Sequence, residues 1–506
     1  MLRIILFIFV VSLVSCKQQS SPDQAPPTAQ LAKSVRNGAK VLSGFHKELH
    51  DNHSRFREKS LDQRRFKHAE LMPLLDALPA EFSQRELGKS IEGRSIKSIR
   101  WGKGSTKVLL WSQMHGDEST ATMALLDVFR FLSSTDEFDP FREKLRNNLD
   151  LYFVPMLNPD GAEKFERRNA IGVDLNRDAL RLQTPEAQIL KQIRDETQAV
   201  WGFNLHDQNR YYAAGNAPNT TAFSFLAPAY NEEKSINEVR GNAMRMVSLL
   251  NEVVQAYLPG QVGRYDDTFE PRAFGDNIQK WGTSTILIES GALNGDLEKQ
   301  YLRQLHFVML LVAFDAIADG SYQQIDLAAY EQIPFNNSNA YHDLIIREAT
   351  LMYKGKPYIM DLGFRQTELS YNKEKDFFFR GSLTDMGDLS TFFAYDELMA
   401  RGYELVPGQV YPQTLADVNA LAKLDVAGLL KKGYTDFLLD KTPSQAQSYS
   451  LPVMVSKKDK TPSNEIKLNQ NPAFLLKKDG AFRYAVVNAA LFDLEKDAEK
   501  INGMLK

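Results

Sequence analysis

Between residues 86 and 320, short apolar segments alternate with longer amphipathic ones, and this alternation restricts the fold more than any other feature of the chain. Short apolar runs bounded by polar residues are typical of buried strands, whereas apolar residues spaced three and four apart are typical of helices. Strands that alternate with helices predict a mostly parallel sheet covered on both faces, with a ligand crevice at the carboxyl ends of its strands. The predicted strands are 107–113, 149–156, 201–205 and 283–288, and the predicted helices are 119–132, 185–196 and 232–257.

The regions on either side of this α/β region have different patterns. Residues 29–78 have a helical pattern and form a predicted lead-in to the sheet. After Gly320 the segments become shorter and more β-like, so we predict a separate α+β domain over residues 321–506, a length sufficient to bury its own core. Its predicted elements are β-segments at 344–346 and 350–353, a helix at 414–430, and a hairpin of 473–477 with 482–487 around Asp479-Gly480.

Composition excludes several classes of protein and narrows the choice of metal ligands. The 61 Lys and Arg nearly balance the 64 Asp and Glu, for a net charge of −3, so we expect no binding of nucleic acid through bulk charge. A single cysteine excludes an internal disulfide and a cysteine-based zinc site. A metal ion would therefore be held by carboxylates and by some of only eight histidines.

The N-terminus has the pattern of an export signal. Arg3 precedes an apolar run over residues 4–14, too short for a permanent membrane span and typical of a signal-peptide core. The run ends shortly before Cys16, and this arrangement resembles the lipobox of bacterial lipoproteins, with a plain signal peptide as the alternative. We therefore predict a signal peptide over residues 1–15 and a polar, proline-rich tether over residues 16–30. Lipidation of Cys16 would anchor the chain to a membrane of the cell envelope, facing the periplasm or the exterior.

Two histidines and a glutamate fall where strands are predicted to end. His115 and Glu118 lie directly after one strand and before a helix, and His206 ends another. Two imidazoles and a carboxylate, with an open fourth position, form the ligand set of zinc hydrolases. The His-x-x-Glu pattern alone is weak, because helix starts often carry such residues for capping and for the helix dipole.

Further polar residues cluster near the same predicted edge. Glu289 ends an apolar strand, where it is either a surface cap or a general base for water. Arg167 and Arg168 are either a solvated basic face or cations for an oxyanion and a terminal carboxylate. The run Asn158-Pro159-Asp160-Gly161 is by itself an ordinary turn sequence.

Taken in order, these residues resemble the zinc carboxypeptidase family, the carboxypeptidase A-like metallopeptidases. The resemblance covers roughly residues 65–320 and includes a predicted first hairpin at 87–94. It implies an α/β fold with a mixed, eight-stranded central sheet flanked by helices. The residues that carry the resemblance are His115-x-x-Glu118, Asn158-Pro159-Asp160-Gly161, Arg167, Asn176-Arg177, His206 and Glu289.

The resemblance also implies a role for each of these side chains. One zinc ion per chain would be held by two histidines and one glutamate, and a second glutamate would move protons. One arginine would stabilise the oxyanion, and an Asn-Arg pair would bind the free carboxylate of the substrate. The corresponding residues are His115, Glu118 and His206 for zinc, Glu289 as the base, Arg167 for the oxyanion, and Asn176 with Arg177 for the carboxylate.

The chain departs from the family pattern at two places. The segment 274–279, in the loop where the family usually has a tyrosine, contains none, and Tyr265 further upstream is a substitute. Asp178 follows Asn176-Arg177 where a second asparagine or a similar residue is usual, so it either disfavours acidic substrates or holds Arg177 in place.

Other histidines are expected to be structural. His46, His50 and His53 fall on one helical face at spacings of four and three. No nearby carboxylate clearly completes a metal site, so we expect a solvated face of a basic helix. His306 and His342 are expected to be packed or surface residues.

These features predict a lipid-anchored zinc metallocarboxypeptidase over residues 31–320, acting on peptides with a free C-terminus outside the cytoplasm. Two alternatives keep the same site but change the substrate to cell-wall (murein) peptides or to N-acyl amino acids. A third alternative is a non-catalytic binding lipoprotein.

Overall fold

The computed structural model describes residues 44–505. The predicted signal peptide, the tether and Cys16 lie outside the described residues. The first part of the chain forms nine strands and nine longer helices around one large sheet. Its strands are β1 (Ser83–Lys89), β2 (Ser95–Gly102), β3 (Thr106–Ser112), β4 (Leu149–Val154), β5 (Trp201–Asp207), β6 (Ala213–Ala214), β7 (Phe223–Leu226), β8 (Val262–Arg264) and β9 (Ser284–Ser290).

The helices of this part mostly lie between its strands. Leu175–Arg177 and Ser321–Gln324 form short 3-10 helices. The α-helices are α1 (Phe45–Phe56), α2 (His68–Asp76), α3 (Thr120–Leu132), α4 (Asp139–Asn148), α5 (Pro159–Lys164), α6 (Pro185–Thr197), α7 (Glu238–Gln255), α8 (Phe274–Lys280) and α9 (Gln300–Asp319).

The first sheet is mixed and has eight strands, in the order β1-β2-β4-β3-β5-β9-β7-β8. Its centre is parallel, from β4 through β3 and β5 to β9. The pairs β1–β2, β2–β4 and β7–β9 are antiparallel, and β7 pairs in parallel with β8. The α/β fold with a mixed, eight-stranded central sheet is confirmed. The predicted hairpin near 87–94 is also present, as β1, a turn and β2.

Strand β3 is covered by helices on both faces, which explains why its apolar run is continuous. Val108 and Leu110 of β3 pack into one core with α3, α7 and α9, whereas Leu109 and Trp111 pack into a second core with α6 and α8. A strand covered on both faces needs apolar residues at successive positions, as parallel sheets do.

Helix α9 is the one helix of the described residues with the length and composition of a membrane span. In the structure it is a core helix, because 72 % of its apolar stretch is buried against the rest of the chain. It packs on α1, α3 and α7. Its Arg303 is fully buried and pairs with Asp127 of α3, with Nη2 2.5 Å from Oδ1.

The lead-in helix α1 packs against this core, and the expectation of a solvated histidine face is wrong. His53 is buried, and its Nε2 lies 2.8 Å from Oδ2 of Asp127. His50 stacks on Tyr257 with ring centroids 4.3 Å apart, and His46 contacts the hydroxyl of the same tyrosine. The three imidazoles therefore help to hold α1 against the core, His53 as a buried residue and His46 and His50 as partly buried ones.

The remainder of the described chain is rich in β-structure. Its strands are β10 (Asn336–Asn337), β11 (Tyr341–Tyr353), β12 (Lys356–Tyr371), β13 (Asp376–Gly387), β14 (Phe393–Met399), β15 (Glu404–Pro407), β16 (Gln409–Val410), β17 (Tyr434–Leu439), β18 (Met454–Lys457), β19 (Phe474–Lys478), β20 (Ala481–Val487) and β21 (Ala490–Asp493). Its helices are α10 (Ala328–Glu331), α11 (Val418–Leu421), α12 (Val426–Leu430), α13 (Gln445–Ser450) and α14 (Ala498–Gly503).

The second sheet runs in the order β13-β12-β11-β15-β19-β20-β21, with β14 also paired to β11. The predicted hairpin around Asp479-Gly480 is present as β19 and β20. The single helix predicted at 414–430 is wrong, because the segment forms the two short helices α11 and α12. Asp417 and Asp425 each accept a hydrogen bond from the start of one helix, so the second aspartate begins a new helix instead of continuing the first.

We expect Asp127→Ala to lower the free energy of unfolding by about 3–5 kcal/mol, because it leaves Arg303 buried without its charge partner. Denaturant titration measures this loss. The control is Asp195→Ala, which removes an exposed helix-surface pair with Lys191 and should change stability by less than about 1 kcal/mol. Equal losses in the two variants would contradict the importance of burial.

Candidate metal centre and cleft

Three neighbouring parallel strands end at one edge of the first sheet. β3 ends at Ser112, β5 at Asp207 and β9 at Ser290. His206 and Glu289 are partners in the parallel ladder between β5 and β9. They therefore lie side by side at the carboxyl edge of the sheet, where α/β folds place their ligand crevice.

His115 and Glu118 reach this edge from the turn after β3. Gln113 has a left-handed backbone conformation with a φ of 45°, which redirects the chain as it leaves the strand. The backbone N–H of Glu118 donates to the carbonyl of His115 at 3.2 Å, and α3 begins at Thr120. The turn thus places both side chains on the same side of the edge.

The two imidazoles meet on one carboxylate. Nδ1 of His115 lies 2.8 Å from Oε1 of Glu118, and Nδ1 of His206 lies 2.6 Å from Oε2. The two Nδ1 atoms are 3.2 Å apart, and all three side chains are buried. Within residues 44–505 this is the one group of His, Cys, Asp or Glu side chains whose ligand atoms come close enough to hold a metal ion, all within 4.8 Å of one another.

Asp174 sets the orientation of the first histidine. Nε2 of His115 lies 3.0 Å from Oδ1 of Asp174, so a proton on Nε2 is donated to this carboxylate and the lone pair of Nδ1 faces the cluster. Asp174 is not among the site residues predicted from the sequence. Its position two residues before Asn176 was the available signal, but nothing in the sequence alone links it to His115.

The electrostatics of the cluster favour a cation. Burial alone would lower the pKa of His115, but Glu118 and Asp174 raise it to about 9. Burial lowers the pKa of His206. An environment that stabilises a proton among these donors also stabilises a metal ion that replaces it. Two imidazole nitrogens and one carboxylate therefore fit zinc in both donor chemistry and spacing.

Arg167 lies against the cluster. Its Nη1 is 3.0 Å from Nδ1 of His115 and 3.3 Å from Oε1 of Glu118, and its Nε donates to Asp174 at 3.0 Å. Arg168 donates instead to the backbone carbonyl of Gly172 at 3.0 Å. Of the two neighbouring arginines, the first is the one that faces the cluster.

Asn176 and Arg177 line the same cleft. Oδ1 of Asn176 accepts a hydrogen bond from the backbone of Phe274 at 2.9 Å, which fixes the amide. Nε of Arg177 lies 3.5 Å from Oε2 of Glu270. The carboxylate of Asp178 accepts hydrogen bonds from Gln183 and Thr184, which lead into α6, and Asp178 is not among the residues that line the cleft.

Glu289 faces the cleft beside the cluster. Burial and the negative charge of Glu118 raise its pKa well above the ordinary value, and its Oε2 has no hydrogen-bond partner within residues 44–505. A carboxyl group with a raised pKa in a cleft is a candidate for proton transfer.

The cleft has a volume of about 580 Å³ and a mostly polar lining. The segment 274–279, where a loop was expected, is instead the buried helix α8. Tyr265 does line the cleft, and its hydroxyl donates to Gln208 at 2.7 Å. The lining residues are Arg64, His115, Asp117, Glu118, Phe165, Arg167, Asn176, Arg177, Asp207, Gln208, Asn209, Tyr212, Tyr265, Glu289, Lys299 and Glu368.

Several of these lining residues were missed by sequence analysis because they come from distant parts of the chain. Lys299 is an example: its Nζ donates to the carbonyl of Ser290 at 2.9 Å and lies 3.2 Å from Oδ2 of Asp207. It therefore joins the ends of β5 and β9. No local pattern around residue 299 indicates this contact.

Comparison with known proteins gives the family of this region. The sequence profile described as zinc carboxypeptidase matches residues 70–243. Residues 70–243 belong to the zinc carboxypeptidase family. The resemblance that the sequence suggested is thus confirmed.

Individual relatives of this zinc carboxypeptidase domain are distant. Carboxypeptidase SOL1 of Arabidopsis thaliana is 29 % identical over 143 residues, which are 24 % of this chain and 29 % of that protein. Carboxypeptidase D of Drosophila melanogaster is 29 % identical over 121 residues, 20 % of this chain and 9 % of that protein. The chain thus spans less than a third of the length of these two relatives. A solved metallo-carboxypeptidase from Burkholderia cenocepacia is 18 % identical, with a TM-score of 0.40 over 51 % of this chain and 70 % of that one.

The turn that carries His115 packs on the helix that begins with the Asn158-Pro159-Asp160-Gly161 run. Asn158 caps that helix, accepting from the backbone of Gly161 at 2.9 Å. A Cβ on Gly116 would lie only 2.0 Å from the carbonyl carbon of Gly161, so only glycine fits there. The turn sequence thus packs directly against the turn that carries His115.

We expect Gly116→Ala to destabilise the protein by about 3 kcal/mol, because the two backbones must separate to admit the methyl group. Thermal or denaturant unfolding of the zinc-free protein measures the loss. Gly503→Ala is the control, since a Cβ there meets nothing within 4 Å. Unchanged stability of the Gly116 variant would show that the turn is not held in this packing.

Proposed function

We propose that this chain is a zinc-dependent metallocarboxypeptidase that removes the C-terminal residue of peptides. The proposal rests on one observation: His115, Glu118 and His206 bring their ligand atoms within 4.8 Å of one another, beside Glu289, and His115, Glu118 and Glu289 line one cleft. Membership of residues 70–243 in the zinc carboxypeptidase family supports the same activity.

One zinc ion per chain would be held by Nδ1 of His115, Nδ1 of His206 and the carboxylate of Glu118. When bound, zinc supplies a Lewis acid and lowers the pKa of water at its open position. Asp174 would keep His115 in the ligating tautomer through its hydrogen bond to Nε2.

Glu289 would be the general base. Its carboxylate would take a proton from the attacking water and pass it to the leaving amine. Burial and the charge of Glu118 raise its pKa, and a raised pKa supports the second step, in which the protonated carboxyl group gives up its proton.

Arg167 would stabilise the oxyanion formed on the scissile carbonyl. Its guanidinium lies at hydrogen-bond distance from His115 and Glu118, which supports a role beside the cluster, where the negative charge would develop. Asn176 and Arg177 would bind the free carboxylate of the terminal residue, the amide through its NH₂ and the guanidinium as a bidentate donor. This pair would restrict the enzyme to chain ends.

The lining of the cleft helps to choose between the alternative substrates, which are peptides, murein peptides and N-acyl amino acids. It is dominated by charged and amide side chains, with Phe165, Tyr212 and Tyr265 as its aromatic members. A peptide backbone can use such donors and acceptors, whereas a long acyl chain would leave them unpaired. The lining therefore favours a peptide, including a murein peptide, over an N-acyl amino acid with a long chain. An intact set of ligands and a base argues against a non-catalytic lipoprotein.

The anchoring of the chain to a membrane of the cell envelope through Cys16 stays a prediction from the sequence. It would place the cleft outside the cytoplasm, where cell-wall peptides are found.

We expect Glu289→Gln to keep its zinc but to lose activity by a factor of about 100 to 10,000, because the amide cannot accept the proton. Metal content by mass spectrometry and turnover of a free-acid peptide give the two results. Glu252→Gln is the matched control, since Glu252 is also partly buried, with its pKa raised by burial, but does not line the cleft. Full activity in the Glu289 variant would end its assignment as the base.

We expect Asp174→Asn to weaken zinc binding about 10- to 100-fold, because the neutral amide no longer supports the charge and tautomer of His115. Titration against a competing chelator measures this affinity. Asp178→Asn is the control, since this buried neighbour contacts none of the ligands. Equal zinc affinity in both variants would contradict the role of Asp174.

Substrate class is tested with three compounds: a peptide with a free C-terminus, the same peptide as its C-terminal amide, and a murein peptide. We expect cleavage of the free acid and little of the amide. Arg177→Gln should raise KM for the free acid about 10- to 100-fold, as expected for the loss of a charged hydrogen bond. Equal cleavage of acid and amide would rule out the carboxylate site.

A further inference from the structure

The second sheet contributes a residue to the cleft. Glu368 of β12 lines the cleft next to Arg64, which belongs to the segment between α1 and α2. Oε1 of Glu368 accepts from Nη2 of Arg64 at 2.9 Å, and its Oε2 accepts from Nη2 of Arg65 at 2.8 Å. Arg65 also donates to the hydroxyl of Ser370 at 2.8 Å. Two arginines of the first part therefore hold one strand of the second sheet at the edge of the cleft.

This contact is buried on both sides by aromatic rings. The guanidinium of Arg65 lies 4.1 Å from the ring centroid of Phe165 and 4.7 Å from that of Phe377. Phe165 itself lines the cleft, and the side chain of Arg65 is only 3 % exposed. A buried cation paired with a carboxylate and enclosed by two rings has one favourable position, so the part of the cleft lining around Glu368 is fixed.

Residues of the second sheet also form hydrogen bonds and an ion pair with the loop that follows His206. The hydroxyl of Tyr211 donates to Oδ2 of Asp343 at 2.7 Å, and Nη2 of Arg210 lies 3.0 Å from Oδ1 of the same carboxylate. The hydroxyl of Tyr395 donates to the carbonyl of Arg210 at 2.6 Å. Strand β6 of this loop pairs with β10.

This loop carries cleft residues on both sides of Arg210 and Tyr211. Asn209 precedes Arg210 and Tyr212 follows Tyr211, and both line the cleft. Their positions are therefore set by Asp343 and by the strands of the second sheet, and not by the first sheet alone.

We propose that the second sheet is part of the substrate-binding site and determines how the enzyme binds residues on the N-terminal side of the scissile bond. The proposal rests on the proposed function, in which Asn176 and Arg177 bind the carboxylate of the terminal residue. One wall of the cleft is then left for the upstream part of the peptide, and it is formed by Arg64, Glu368, Asn209 and Tyr212.

The chemistry of this wall selects the ligand. Glu368 presents carboxylate oxygens, and Asn209 and Tyr212 are residue types that form hydrogen bonds. Such groups bind backbone amides and polar side chains. A peptide of three or more residues would reach them, and a dipeptide with a blocked amino group would not.

The experiment compares two N-acetylated peptides, a dipeptide and a tetrapeptide with the same last two residues. Their binding to the full-length, zinc-loaded protein is measured by calorimetry in the Glu289→Gln background, so that hydrolysis does not interfere. We expect Glu368→Gln to weaken the tetrapeptide about 5- to 20-fold, as for the loss of one or two hydrogen bonds, and to change dipeptide binding less than 2-fold. Tyr211→Phe, which removes one hydroxyl, should have the same selective effect.

Glu397→Gln is the matched control. This residue also pairs with an arginine of the second sheet, Arg347, at 2.9 Å, but it does not line the cleft, so binding of both peptides should be unchanged. Equal weakening of both peptides by Glu368→Gln and Tyr211→Phe, or no weakening by either, would overturn the proposal. Separately, if the protein without the Glu289 substitution hydrolyses neither peptide, the proposed function fails, while the selective loss of tetrapeptide binding still supports the wall.

Discussion

The carboxylate of Glu118 is buried between two imidazoles, and the arrangement of the cleft depends on this contact. A buried charge is costly unless it is paired, and here Nδ1 of His115 and Nδ1 of His206 supply the partners. Arg167 and Asp174 then complete a network in which each charge faces an opposite one. The ligand atoms of His115, Glu118 and His206 all lie within 4.8 Å of one another, so the same side chains that form ion pairs could also hold a metal ion.

The fold supplies the precision that this network needs. The ladder between β5 and β9 puts His206 opposite Glu289, and a slip of one residue would send one of the two side chains to the other face. Gly116 lets the backbone of the first turn approach that of Gly161, and Lys299 joins the two strand ends. The ligands are therefore positioned by backbone pairing and close packing, both of which are rigid.

Much of this arrangement can be predicted from the sequence because it follows local rules. Buried parallel strands appear as apolar runs, and residues at their carboxyl ends meet, so His115, His206 and Glu289 were found without coordinates. Three contacts could not be predicted, because each joins segments that no sequence pattern relates. They are the hydrogen bond of Asp174 to His115, the contacts of Lys299 with the ends of β5 and β9, and the contacts of Glu368 with Arg64 and Arg65. The error at 414–430 has a local cause, since a second capping aspartate interrupts an otherwise helical pattern. The packing of His53 was missed because its partner Asp127 lies 74 residues further along the chain.

The buried pair of Asp127 with Arg303 has a consequence for how the protein acquires its structure. The two residues are 176 positions apart, and Arg303 also donates to the backbone carbonyls of Glu58 and Leu61. The first segment of the described chain therefore obtains its main charged partner only when α9 has been synthesised. Contacts of such long range slow the search for the native state. Until α9 docks, the apolar faces of α1 and α3 that it covers stay exposed, and such surface favours aggregation.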